Sequence, residues 1–399
     1  MNIFSRIYCR AYQGVMRAAL PIMPYREPKM LTDNLELLEV LVNHAKNKVL
    51  LVTDSGIRKI GLTKPLEELL SFNGIKVSVY DETVANPTVD NVKKAVEIYK
   101  ENECQAIIAF GGGSPMDCAK AAGAMIACPN KTLKNMKGLL KVNHKLPLLI
   151  AVPTTAGTGS ETTLTAVITD AESHHKYTIN DFNLIPSYAL LDASLTLGLP
   201  KHMTSTTGLD ALTHAIEAYI GRSTTKTTRQ HALNAIKLIF ENLLDAYEDG
   251  TNFKARENML KASYMAGMAF TKSYVGYVHA IAHTLGGKYN VPHGLANAII
   301  LPYVLKKYGK SAHKKLFKIA RHCGLCDENT TFENGAKILI EKIEQMNKIM
   351  KIQTKIVGIN KEDIESLAKT AAKEANPLYP VPKLFNAKEL ESIYFEIMG

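Results

Sequence analysis

The sequence predicts an α/β domain built on a doubly wound parallel sheet over residues 1–200, followed by an all-helical domain over residues 201–399. Three observations carry this prediction. Short apolar runs alternate with helical patterns from Lys48 to Val152, and no strand pattern recurs after Pro200. The 399-residue chain, 46% hydrophobic and 22% charged, also has ordinary globular composition and enough length for two full cores.

The first 25 residues are basic, with Arg6, Arg10 and Arg17 and no acid before Glu27. Such a composition suits a transit peptide. There is no signal-peptide cleavage pattern and no apolar run of transmembrane length, so the stretch reads as an amphipathic segment packing on the body of a soluble protein. From Lys48 the chain runs KVLLVT, a helix through Leu70, IKVSVY, a helix from Val89 to Lys100, QAIIAF, a helix from Pro115, and PLLIAV. These strands lack polar alternation, as expected of parallel strands covered on both faces, and such sheets bind ligands at the carboxyl ends of their strands. Beyond Pro200 the helical patterns are Thr227–Tyr247, Asn252–Phe270, Leu295–Tyr308, Glu333–Met350 and Lys361–Lys373. There are no internal repeats and no low-complexity tracts.

A net charge of +10 and a pI of about 9.1 suggest a nucleic-acid partner, yet no basic stripe with interleaved aromatics is present. The lysines from Lys306 to Lys318 read as a solvated helix face. Six scattered cysteines form no disulfide framework, which fits a reducing cytoplasm. Cys323 and Cys326 lack the second pair that a zinc site needs, and Gly324 reads as a helix cap.

Two loops after buried strands suit a nucleotide. GGGSPMDCAK follows QAIIAF: Gly111 to Gly113 let backbone approach a ligand, Ser114 can cap a helix, and Pro115 suits its first turn, leaving free N–H groups and a positive dipole end for a pyrophosphate. It is not the GxGxxG fingerprint, and a plain strand-to-helix turn is the alternative. PTTAGTGSET, Pro153 to Thr162, offers hydroxyls and N–H groups for ribose and phosphate, or a simple turn into TAVITD. Asp54 ends KVLLVT. It either accepts from ribose hydroxyls, favouring NAD over NADP, or caps a helix.

The metal signal lies in GLDALTHAIEAYIG and GYVHAIAHTLGGKYNVPHG. Asp210 and His214, and His279 and His283, are each four apart, one helical face and roughly 6 Å along the axis. Gly286 and Gly287 are expected to end the second helix, with Pro292 opening a new one so that His293 folds back. Asp210, His214, His279 and His293 form an imidazole–carboxylate set suited to Fe(II) or Zn(II) and too rich in nitrogen for Ca or Mg.

With these stretches the chain closely resembles the iron-containing, group III metal-dependent alcohol dehydrogenases, over roughly residues 27–399. The most specific parts are the run from Leu191-Asp192 through Pro200 to GLDALTHAIE, and GYVHAIAHTLGGKYNVPHG. The resemblance implies a Rossmann-like domain and a helical domain in a dehydroquinate synthase-like architecture, with a catalytic cleft between them. It implies a metal at Asp210, His214, His279 and His293, and His283 beside the nicotinamide as the relay for the hydroxyl proton. Asp54, Gly112, Gly113, Ser114, Asp117, Thr154, Thr155, Thr158 and Lys176 match cofactor-contacting positions. The implied activity is NAD(H)-dependent oxidation of a short-chain primary alcohol or reduction of its aldehyde, with NADP(H) the poorer cofactor. Fe(II) acts as a Lewis acid without redox change, so Zn(II) can replace it. A cytoplasmic homodimer is expected, with a small-molecule substrate and neither nucleic acid nor membrane as partner.

The chain departs from the family at Ser205, usually alanine, in its extra N-terminal 26 residues, and at Lys272 and Tyr274, where many relatives carry small neutral residues. If Lys272 shares a helix with His279, its ammonium falls on the metal-bearing face and favours an aldehyde acid such as succinic semialdehyde, the activity of a 4-hydroxybutyrate-like dehydrogenase. A break at Ser273 or Gly276 turns it to solvent. A sugar-phosphate cyclase of the same fold is the other alternative, but its polyanion site needs several Lys and Arg beside the metal.

Overall fold

The computed structural model describes residues 1–169 and 176–399. The chain opens with α1 (Ile3–Ala19), whose first turn is capped by the Asn2 side chain accepting the Ser5 N–H. It then divides into two compact units, Pro24–Gly198 and a second made of Leu199–Gly399 together with Met1–Met23.

The first unit runs β1 (Lys29–Leu31), α2 (Asn34–Asn43), β2 (Lys48–Val52), α3 (Ser55–Lys59), α4 (Lys64–Phe72), β3 (Lys76–Tyr80), α5 (Val89–Glu101), β4 (Ala106–Gly111), α6 (Gly113–Ala127) and α7 (Leu133–Met136). It continues with β5 (Gly138–Leu139), β6 (Leu148–Pro153), β7 (Thr165–Thr169), β8 (Lys176–Asn180) and β9 (Tyr188–Leu190). Six strands form one sheet, in the order β1-β9-β6-β4-β2-β3, with every pairing parallel. Side chains alternate across it. Leu50, Val52, Ile107, Ala109 and Leu149 enter one core, and Val49, Leu51, Ile108, Phe110 and Ile150 the other, which is why the strands read as unbroken apolar runs.

From β2 the chain steps to β3 at one edge, then crosses back to β4 on the other side of β2 and proceeds to β6 and β9. The five-strand core therefore has the flavodoxin-type order of doubly wound sheets, with its switch point between β2 and β4. Thr53 and Asp54 follow the first of these strands and Gly112 the second. A second sheet, β5-β8-β7, contains the antiparallel pair β7–β8. Sequence patterning missed this sheet as well as β1 and β9: β1, β5 and β9, with two or three residues, carry too little period to detect, and β7 and β8 are five-residue strands interleaved with threonines and other polar residues.

The second unit is helical apart from a bridge between Ile356 and Met398: α8 (Lys201–Ile220), α9 (Lys226–Glu248), α10 (Phe253–Ser273), α11 (Tyr277–Tyr289), α12 (His293–Tyr308), α13 (Lys310–His322), α14 (Phe332–Ile349), α15 (Ile364–Ala375) and α16 (Ala387–Ile397). None of the helices among the described residues is long and apolar enough to cross a membrane. Two expectations need correcting. Residues 1–23, placed by sequence order in the first domain, group with the helical unit. Gln13 Nε2 donates to the carbonyls of Pro377 (3.0 Å) and Tyr379 (2.8 Å), and Arg10 to those of Val381 (2.8 Å) and Pro382 (3.1 Å). An irregular segment leaves those carbonyls without helical partners, and α1 supplies the donors. Nor do Gly286 and Gly287 end α11, which runs on through Tyr289 and stops at Asn290, in the left-handed region at φ 54°. Asparagine takes that conformation at low cost.

Candidate metal centre and nucleotide loops

α8 is buried on all sides from Gly208 to Ile220, and its inner stripe continues from Asp210 and His214 to Glu217, one further turn along. A Cβ at Gly208 would lie 2.4 Å from Leu243 Cδ1, so glycine here lets α9 approach α8 closely. α10 stops at Ser273, its C-cap Tyr274 having φ 60°, and α11 starts after Gly276. Lys272 and His279 are therefore on different helices, and the shared-face argument for Lys272 fails.

Glu217 organises the start of α11. Its carboxylate accepts the N–H groups of Gly276 (2.8 Å) and Val278 (2.9 Å), capping the helix from outside, and lies 2.6 Å from His279 Nδ1. That contact fixes the ring and leaves Nε2 for the centre, the usual support for a metal-bound imidazole. A Cβ at Gly276 would lie 2.5 Å from Glu217 Oε1, so only glycine fits there. Burial pushes the Glu217 carboxyl up to about 7.

One donor atom from each of Asp210, His214, His279 and His293 lies within 4.8 Å of the other three. His279 Nε2 and His293 Nε2 are 3.9 and 3.5 Å from Asp210 Oδ1. Ligands about 2.1 Å from a tetrahedral metal stand roughly 3.4 Å apart, so the set needs only a small contraction. His214 is held flat between Phe270 and His279, with ring centroids 4.1 and 4.5 Å away. Burial, then the neighbouring histidines, hold His279 well below its ordinary pKa, in the neutral form that ligates metals.

Asn297, one turn after His293 on α12, supplies an independent sign that a cation belongs here. Its Nδ2 lies 2.6 Å from Asp210 Oδ1, 3.2 Å from His279 Nε2 and 3.1 Å from His293 Nε2, while its buried Oδ1 has no hydrogen-bond partner. A carboxylate oxygen and two imidazole nitrogens thus converge on one amide nitrogen with two hydrogens, an arrangement that a metal ion relieves. The residues present fit a divalent metal with mixed nitrogen and oxygen ligation.

His283, with a side chain 44% exposed, stands beside this set. Its ring stacks on His293 at 5.3 Å, and its Nδ1 lies 2.7 Å from Glu374 Oε1, which also accepts the Tyr379 hydroxyl at 2.8 Å. Desolvation opposes the imidazolium, but the Glu374 carboxylate outweighs it and raises the His283 pKa. Sequence reasoning missed Glu217, Asn297, Glu374 and Tyr379. Glu217 and Asn297 were detectable as continuations of the ligand stripes at seven and four residues; Glu374, 91 positions from His283, left no such signal.

In the first unit the loops after β4 and β6 meet. Thr154 N–H donates to Gly111 O at 3.1 Å. Gly111 has φ 150°, and a Cβ there would press to 2.7 Å from Pro115 Cγ; one at Gly113 would lie 3.2 Å from Thr158 Cγ2. Gly112 caps α6 without a side chain, and the buried Thr155 hydroxyl beside it has no hydrogen-bond partner. Ser114 Oγ accepts the Asn86 N–H (3.3 Å), and Asn86 Oδ1 accepts from Lys176 Nζ (2.9 Å). An uncapped helix start, an orphaned hydroxyl and a nearby ammonium fit a nucleotide phosphate.

Two of the predicted cofactor contacts also have partners within the fold. Asp54 caps α3, its Oδ1 accepting the Ile57 N–H at 2.9 Å, which is the helix-cap alternative. Asp117 accepts the Ser160 hydroxyl and the Val167 N–H, both at 3.0 Å, and so ties α6 to β7.

Residues 30–193 match the family described as iron-containing alcohol dehydrogenase, and residues 204–398 match the Fe-containing alcohol dehydrogenase family, C-terminal. Alcohol dehydrogenase 4 of Saccharomyces cerevisiae is 39% identical over 344 residues, covering 85% of this chain and 88% of the yeast protein. The crystal structure of a 1,3-propanediol oxidoreductase matches with a TM-score of 0.90 at 34% identity, covering 94% of this chain and 99% of that one. Sulfoacetaldehyde reductase from Bifidobacterium kashiwanohense, crystallised with NAD+, matches with a TM-score of 0.83 at 27% identity, covering 94% of this chain and 98% of that one. This chain belongs to the iron-containing alcohol dehydrogenase family.

Proposed function

We propose that this enzyme interconverts short-chain primary alcohols and their aldehydes with NAD(H), using Fe(II), or Zn(II) in its place, held by Asp210, His214, His279 and His293. The observation that carries the reading is the convergence of these four donor atoms within 4.8 Å of one another, three of them crowded on the Asn297 amide nitrogen. When bound, the metal supplies Lewis acidity toward the substrate oxygen and the nicotinamide supplies or accepts the hydride.

The chain's own residues prepare that chemistry. Glu217 holds His279 in the tautomer with Nε2 free, and the depressed pKa of His279 keeps protons from competing for that atom. Glu374 holds His283 by Nδ1, leaving Nε2 of this exposed ring to pass the hydroxyl proton to solvent. Gly112, Gly113, Ser114, Thr154, Thr155, Thr158 and Lys176 would cradle the cofactor phosphates, while Asp54, whose Oδ1 caps α3, would offer its second oxygen to the ribose. Asp117 belongs to the same cofactor-contacting set and also braces α6 against β7.

The substrate is a neutral aldehyde, because the helix break at Tyr274 removes the argument that aimed Lys272 at the metal-bearing face. Comparing catalytic efficiencies for butanal and succinic semialdehyde with NADH tests this: butanal is expected to be reduced at least as well, and a strong preference for the acid would restore the hydroxyacid reading. The family likeness also supports a homodimer, giving a light-scattering mass near twice 43.9 kDa. Six free cysteines, four of them buried, support a reducing cytoplasmic setting.

A further inference from the structure

We propose that α1, together with a basic cluster at its C-terminal end, docks this enzyme peripherally on an anionic lipid surface. The helix is turned the opposite way from an ordinary amphipathic surface helix. Its inward side is built from Cys9, Gln13 and Arg10, and its polar groups bond the 377–382 backbone. Ser223 adds a further tie by donating to Gln13 O at 3.2 Å. Opposite lie Ile3, Phe4, Ile7, Tyr8 and Val15, each 61–80% exposed. At about 100° per residue these five span an arc of roughly 140° on the exposed side of the helix, with Tyr8 at its edge beside a cavity shared with Ala372, Asn376 and Pro377. Among the described residues no other helix carries as many large exposed apolar side chains; apart from the adjacent Leu139 and Leu140 the rest are spaced singly along the chain, whereas these five share one face of α1.

Charge selects the occupant. α1 has no acidic residue, and Arg6 and exposed Arg17 border the apolar arc. At the helix end Arg17 joins Arg222, Arg229 and Lys318 around Lys315, whose pKa falls to about 8 through burial and then through these cations. Lys315 Nζ is itself held by the Ile220 carbonyl at 2.9 Å and by that of Gly221, so the cluster is anchored to α8. An apolar face with cations along one edge and at one end is the pattern of an interfacial helix on anionic headgroups. A second copy fits less well, because two such faces would bring their arginines together. α1 also lies outside the stretches matched to the family, 30–193 and 204–398, so the surface is an addition to the enzyme's common body. No membrane-spanning segment is involved, and the docking is reversible.

Flotation of the full-length protein with vesicles tests this. With phosphatidylcholine containing about a third phosphatidylserine the protein is expected to float, with neutral phosphatidylcholine to stay behind, and salt well above the physiological range should release it. The double variant Phe4→Ser/Ile7→Ser should lower the bound-to-free ratio at least about tenfold while keeping its helical circular dichroism, since both side chains already face solvent. Arg6→Glu/Arg17→Glu should do the same. No flotation with the anionic vesicles, equal flotation with neutral ones, or flotation unchanged in Phe4→Ser/Ile7→Ser overturns the proposal. A light-scattering mass that halves in that variant, without flotation of the parent, would instead make the stripe an interface between copies.

Discussion

Glu217 serves two structures through one carboxylate, the N-terminus of α11 and the ring of His279. Replacing it by Gln preserves shape but removes the charge that supports the imidazole, and is expected to weaken iron binding about 10- to 100-fold, measured by competition with a chelator. Asp210→Ala and His279→Ala should each lose the iron while retaining NADH binding, because the metal quartet and the glycine loops lie in different compact units; full iron content in either variant would strike that residue from the ligand set. Asp54 needs a subtler substitution. Since it caps α3, Asp54→Asn keeps the cap and removes only the charge. If Asp54 also repels a 2′-phosphate, this variant should gain roughly tenfold in relative efficiency with NADPH, and unchanged discrimination would leave Asp54 a cap alone.

At the scale of elements, what the sequence made legible depended on whether the signal was local. The metal helices announced themselves because Asp210/His214 and His279/His283 repeat at helical spacing, and the buried strands because β4, β6 and, after Lys48, β2 are unbroken apolar runs. That the N-terminal segment packs on the body was expected from its composition, but its partners in residues 377–382 left no sequence trace, being more than 360 positions away. The end of α11 was misread because Gly286 and Gly287 looked like a stop, whereas the left-handed residue is Asn290. α6 carries a further consequence. Lys120 is fully buried, its ammonium held by Ser160 Oγ, the Thr163 hydroxyl and the Thr163 and Thr165 carbonyls, and burial lowers its pKa from 10.5 to about 8. A base depressed in the folded state binds fewer protons there than when unfolded between those two values, so its contribution to stability grows as pH rises from about 8 toward 10.5 and is lost as pH falls through 8. Relative to Lys120→Met, the parent should therefore gain in melting temperature across that window; parallel curves would show that Lys120 stays charged.

For the whole molecule, a metal bound only by the folded chain links iron to stability. Removing iron present at about 100 times its dissociation constant costs about 2.7 kcal/mol, and for a unit of roughly 200 residues that lowers the melting temperature by about 5–10 °C. The shift should appear in the helical unit and vanish in Asp210→Ala. The central claim, that this quartet holds the metal on which NAD(H)-linked alcohol chemistry depends, is tested most directly by titrating Fe(II) into metal-free enzyme with NADH and butanal present. The account predicts no NADH consumption without metal, a rate rising linearly to one iron per chain and then flat, and no recovery in Asp210→Ala at any iron concentration. Metal-free enzyme that oxidises NADH as fast as the iron-loaded form, or Asp210→Ala restored to the parent's rate by one equivalent of iron, would contradict it.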